Sequence, residues 1–105
     1  GEKQIFTSII VASELRFGAC KKGSTELTNR IETILSAIPV LAYEEPADNC
    51  YAKIRNYLEK KGTPIGPNDL LIAAHSQTIH ATLVTANIRE FNRIPGLNIE
   101  NWLGQ

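Results

Sequence analysis

The chain has 105 residues, 11 Lys plus Arg, 11 Asp plus Glu and 43% apolar residues. That length fits one domain, here taken as residues 1–105, and the composition is that of a packed globule. A formal net charge of zero excludes a domain that holds nucleic acid or a membrane by bulk charge, but it leaves RNA processing at a local site open.

Residues 5–10 are β-branched and aromatic and read as a strand, with Ser8 placed to cap a helix running through Val11, Leu15 and Ala19. The helix start, Ile9 to Ala12 with Leu15, is apolar nearly all round and is expected to be buried. Gly23 after Lys21-Lys22 stops this helix. Leu27, Ile31, Ile34, Leu35 and Ile38 form one helical stripe, started by Ser24 or Thr25 and ended by Pro39. Residues 40–43 read as a short buried strand. Pro46 opens a further helix whose apolar face is Cys50, Tyr51, Ile54, Tyr57 and Leu58, and Gly62 closes it. Residues 63–67 hold two prolines and a glycine and form a loop; Asn68 or Asp69 then begins a helix through Ile79. Residues 82–85 read as a strand, 89–91 as a helical turn and 97–102 as a last strand.

Strands alternating with helices predict an α/β fold with a mostly parallel central sheet and helices on both faces. Ligands in such folds sit at the C-terminal edge of the strands. The acids and polar residues brought there are Glu14, then Asn68 and Asp69, then Thr85, Asn87 and Glu90. Each has a plain structural explanation as well. Glu14 can face solvent, Asp69 can serve the start of its helix, Asn87 can hold a turn and Thr85 can end a strand. Carboxylates gathered at one edge repel unless a divalent cation neutralises them, and Mg²⁺ or Mn²⁺ suits oxygen ligands. Cys20 and Cys50 lack zinc spacing and read as two buried or half-buried thiols in a reducing cytosol; His75 and His80 receive no catalytic role. No apolar run is long enough for a membrane span and no signal peptide opens the chain, so a cytoplasmic protein is expected. The opening Gly1-Glu2-Lys3, without Met, reads as a processed, tagged or trimmed end.

Three stretches carry a resemblance. Thr63-Pro64-Ile65-Gly66-Pro67-Asn68-Asp69-Leu70-Leu71-Ile72-Ala73-Ala74-His75, then Leu83-Val84-Thr85-Ala86-Asn87-Ile88-Arg89-Glu90-Phe91, then Arg93-Ile94-Pro95-Gly96-Leu97 with Glu100-Asn101-Trp102, closely resemble the PIN-domain toxins of the VapC type. Upstream, Ser8 with Ala12-Ser13-Glu14-Leu15-Arg16-Phe17-Gly18 resembles a further segment of that family. The resemblance implies a PIN-like fold and a Mg²⁺- or Mn²⁺-dependent endoribonuclease of a toxin–antitoxin pair. It implies a structured RNA substrate such as tRNA, an antitoxin partner and a homodimer. Carried over, Glu14, Asp69 and Glu90 are the catalytic acids, with Asp69 and Glu14 as metal ligands and Thr85, Asn87 and Asn68 in support. Asn87 falls where other PIN domains place a fourth Asp, and Ala86 departs from the usual Asn. Arg16 and Arg89, with Lys21, Lys22 and Arg93, are the cations available to RNA.

The family's opening strand and helix, with their own metal-binding Asp, have no match in this sequence, so an N-terminally truncated PIN domain with unpaired strand edges is expected. A second hypothesis follows: a non-catalytic fragment serving only dimerisation or antitoxin binding. A receiver-type phosphoacceptor needs an acidic pair near the first strand and a Lys after a late strand, and neither is present.

Overall fold

The computed structural model describes residues 6–84 and 88–100. The chain forms two compact units, residues 1–43 and 44–105.

In the first unit, β1 (Thr7–Ser8) passes directly into α1 (Ile9–Lys22), followed by α2 (Thr25–Ala37) and β2 (Val40–Leu41). Ser8 is the last strand residue and also the helix cap: its hydroxyl accepts from Ile10 N at 3.0 Å. That bond turns the chain into a helix at Ile9, so the strand is shorter than the β-branched run 5–10 suggests. Gly23 ends α1 at φ +69°, where its amide donates to the Ala19 and Cys20 carbonyls. Ser24 caps α2 by accepting from Leu27 N at 3.1 Å. Ile38, held extended by the proline behind it, ends that helix.

The core of this unit is Ala12, Ala19, Ile31 and Leu35, with Leu27 and Val40 against it. The expected burial of the α1 start is corrected here. Only Ala12 and Ala19 of α1 are buried, while Leu15 and Phe17 are exposed, Phe17 at 67%. Alanines seven apart on α1 present a small-residue face, and α2 contributes the larger apolar side chains. The stripe on α2 is likewise narrower than predicted, since Ile34 is half exposed. The pair β1–β2 is parallel, in register Thr7 with Val40 and Ser8 with Leu41, and the two helices form the crossover that a parallel pair requires. The strand expected at 40–43 is confined to Val40–Leu41 and is half-buried, not buried.

In the second unit, α3 (Ala47–Lys60) packs on α4 (Pro67–Thr78), followed by β3 (Leu83–Val84), α5 (Ile88–Phe91) and β4 (Ile99–Glu100). Ala47, Ile54 and Leu58, at i, i+7 and i+11, are the buried face of α3. Its end is a Schellman turn: Gly62, at φ +72°, donates to Glu59 O at 3.1 Å, and Thr63 donates to Leu58 O at 2.9 Å. The helix α4 begins one turn-position earlier than Asn68 or Asp69, because Gly66 is the cap and Pro67 the first helical residue. Proline's fixed φ and missing amide suit that position. Leu70, Ile72, Ala73, Ala74, His75 and Ser76 are all buried, so His75 is a packing residue. A second Schellman turn ends α4, with His80 in the left-handed conformation (φ +55°) and Ala81 donating to Ser76 O at 2.9 Å. The β3–β4 pair is parallel, in register Leu83 with Ile99 and Val84 with Glu100. Both described pairs therefore have the predicted parallel sense, one in each unit. The outer parts of the strands expected at 5–10, 82–85 and 97–102 include residues 5, 85, 101 and 102, which lie outside the described residues.

Candidate active site

The candidate acids fall on three helices. Glu14 lies on the second turn of α1, in the first unit, and is exposed. Asp69 lies in the first turn of α4 and is half-buried; Asn68 beside it is exposed. Glu90 lies on α5 and is half-buried. Asp69 and Glu90 thus belong to one compact unit and Glu14 to the other. Thr85 and Asn87 lie outside the described residues.

Asp69 is the third residue of α4, where a carboxylate faces the positive end of the helix. The cap residue Gly66 has no side chain, and a Cβ built on it would lie 4.0 Å from Asp69 Oδ2. The carboxylate is therefore folded back over the stiff loop that leads into the helix. That loop is fixed at one end by the Gly62 turn and at the other by Pro67.

Two cations considered for RNA make internal contacts. Arg16 forms a two-pronged ion pair with Glu32 across α1 and α2, Nε to Oε2 at 2.8 Å and Nη2 to Oε1 at 2.9 Å. Hydrogen bonding to Arg16 holds the Glu32 carboxyl below its ordinary value, and the same bond raises the Arg16 guanidinium. Arg93 donates from Nη1 to the Pro64 carbonyl at 3.1 Å. Arg89 is exposed on α5, and Lys21 and Lys22 are exposed at the end of α1. Cys20 is exposed and Cys50 half-buried, and both are free thiols, so Cys20 is more open than expected.

A groove of about 350 Å³ runs beside the loop, lined by Tyr51, Arg55, Glu59, Pro64 and Ile65, with Leu58 and Leu70 buried at its floor. Its polar side chains satisfy one another: Arg55 donates to Glu59 Oε2 at 2.8 Å and to the Tyr51 hydroxyl at 3.1 Å. The four-residue spacing of Tyr51, Arg55 and Glu59 makes this ladder legible in the sequence, where Tyr51 is also part of the apolar face of the helix.

Among the described residues, no three Asp, Glu, His or Cys side chains gather as a closed metal cage. Mg²⁺ and Mn²⁺ do not need one, because they keep several waters and bind through one or two carboxylates together with substrate phosphate. The donor chemistry of Asp69 and Glu90 fits such an ion.

Comparison with known proteins agrees with this reading of the scaffold. The sequence profile of the PIN domain matches residues 1–97. Ribonuclease VapC2 of Rickettsia felis is 42% identical over 99 residues, covering 93% of this chain and 74% of that protein. The tRNA(fMet)-specific endonuclease VapC of Salmonella typhimurium is 42% identical over 96 residues, covering 90% of this chain and 73% of that one. The solved structure of VapBC2 from Rickettsia felis, bound to a DNA fragment from their promoter, superposes with a TM-score of 0.87 over 94% of this chain and 75% of that one. The chain belongs to the PIN-domain family, in its VapC branch of ribonuclease toxins. The predicted α/β class and the family resemblance are both borne out. No helix among the described residues is long and apolar enough to cross a membrane.

Proposed function

We propose that the protein is a Mg²⁺- or Mn²⁺-dependent endoribonuclease toxin that cuts structured RNA of the tRNA class to block translation. In this reading it works as a homodimer and is silenced by a cognate antitoxin. The carrying observation is the half-buried Asp69, set over a stiff loop at a helix start, in a chain that is 42% identical to a ribonuclease VapC2 across nearly its whole length. The Salmonella relative's name supports tRNA as the substrate class, and the VapBC2 complex supports an antitoxin partner.

Asp69 and Glu14 are the proposed metal ligands, and Glu90 is the third catalytic acid. When bound, the cation supplies an activated water and neutralises charge at the scissile phosphate. The protein's part is to position the carboxylates. Asp69 stands in the first turn of α4, at the positive end of the helix dipole. Asn68 beside it, with Thr85 and Asn87, supports the acids. Arg89 and Arg16 offer positive charge to the RNA backbone, with Arg16 also shared with Glu32. A neutral chain makes such contacts few, so RNA affinity should depend only modestly on salt. The full protein should cleave tRNA in Mn²⁺, stop when a chelator is added, and resume when Mn²⁺ is restored. Cleavage that persists in chelator would reject the metal dependence.

A further inference from the structure

Two side chains of the second unit reach backbone carbonyls far away in the sequence. Arg93 Nη1 donates to Pro64 O at 3.1 Å, across 29 residues. Gln77 Nε2 donates to Pro95 O at 3.0 Å, across 18 residues. The main chain of Arg93 is tied as well: its amide donates to Glu90 O at 3.2 Å.

These bonds form a continuous path between the segments that carry two acids. It starts at the Glu90 carbonyl, passes through the Arg93 amide and guanidinium, and arrives at the Pro64 carbonyl. Pro64 lies in the loop that leads to Pro67 and then to Asp69 in the first turn of α4. That loop has little freedom of its own, being pinned by the Gly62 turn and by proline φ angles. Fixing Pro64 therefore fixes the approach to the helix. The other end of the clasp is anchored through Gln77. Gly96 sits at φ +79°, and a Cβ there would come within 3.1 Å of Gln77 Nε2, so glycine keeps room for the bond to Pro95. Arg93 itself is half-buried, unlike the exposed Arg89.

We propose that Arg93 is a positioning residue: by gripping the Pro64 carbonyl, it sets the loop that presents Asp69 against the turn that carries Glu90. The inference rests on the reading of Asp69 and Glu90 as acids of the metal site. Arginine suits the task because its rigid planar fork fixes the direction of the bond, whereas lysine would supply a donor with less restraint. The role also removes Arg93 from the set of cations offered to RNA.

The test compares the full protein with its Arg93→Gln and Arg93→Lys variants. Amide hydrogen exchange within residues 63–70 reads the loop, calorimetric Mn²⁺ titration reads the metal site, and single-turnover tRNA cleavage separates rate from RNA affinity. Arg93→Gln should speed loop exchange and weaken Mn²⁺ binding by about 3- to 10-fold. It should lower the saturating cleavage rate by about 10- to 100-fold, as a displaced acid does, with RNA affinity held within about twofold. Arg93→Lys, which keeps a donor of similar reach where the shorter glutamine amide falls short of Pro64 O, guards against a variant that simply misfolds and should recover part of each loss. Loop exchange identical to that of the wild type overturns the clasp. So does a loss confined to RNA affinity with a shallower salt dependence, the mark of a phosphate-contacting cation. Failure of the metal reading looks different: the wild-type protein then titrates no Mn²⁺, whatever the loop does.

Discussion

Asp69→Asn should leave a folded protein that no longer cuts RNA. The substitution keeps the size and planarity of the side chain and removes its charge. At the third position of α4 the lost helix-dipole interaction costs about 0.3–1 kcal/mol, so thermal unfolding should shift by only a few degrees. Cleavage should fall on the order of 10³-fold or more, because the carboxylate is proposed both to hold the cation and to fix its place at the phosphate. Melting curves and initial rates at saturating Mn²⁺ check the two halves separately. An Asp69→Asn protein with near-wild-type cleavage would remove Asp69 from the site. One that fails to fold would show that Asp69 is chiefly a helix-start residue, which is the plain structural reading.

Leu58→Ala should destabilise the second unit strongly. Leu58 is 1% exposed, faces α4 from α3, and its carbonyl accepts the Thr63 amide in the turn that opens the loop. Removing three heavy atoms from such a site leaves a cavity and costs roughly 2–5 kcal/mol. Against a total stability of about 5–15 kcal/mol that is a large share. At about 4–8 °C per kcal/mol, the midpoint should drop by at least ~8 °C. The groove floor that Leu58 shares with Leu70 would also open toward the Asp69 loop, so activity should fall more steeply with temperature than in the wild type. A loss below about 1 kcal/mol, read by calorimetric or denaturant unfolding, would mean that α3 does not depend on this contact.

Much of the fold was legible because its signals are local. Ser8 and Ser24 as caps, Gly23 and Gly62 as stops, and the 27–31–35 stripe each follow from a residue type at a fixed spacing. Other positions are decided where two local rules compete. Ser8 can end a strand or cap a helix, and it does both: it is the last residue of β1, and its hydroxyl accepts from Ile10 N at the start of α1. Asn68 and Asp69 are good caps, but Pro67 is better pre-formed for the first helical position, and that moved the start back to Gly66. The apolar beginning of α1 suggests burial, yet only Ala12 and Ala19 of that helix are buried. Composition cannot reveal that choice when apolar residues lie on every side of a helix.

For the site, the strand-and-helix order brings Glu14, Asp69 and Glu90 to the strand edge and the family resemblance supplies their roles, and the structure gives Asp69 and Glu90 half-buried positions on one unit. The Arg93 contact to Pro64 could not have been read beforehand. It joins a side chain to a backbone carbonyl 29 residues away, and a carbonyl carries no sequence signature. Arg16 likewise pairs with Glu32, 16 residues on and on another helix, beyond the reach of any local spacing rule.

The central claim is that acids remote in the chain act on a single cation. The most direct test is calorimetric Mn²⁺ titration of the full protein, of Glu14→Gln, of Asp69→Asn and of the double variant. If the two carboxylates share an ion, each single change should weaken binding by about tenfold or more, and the double change should cost less than their sum. Wild-type Mn²⁺ affinity in Glu14→Gln would contradict the account.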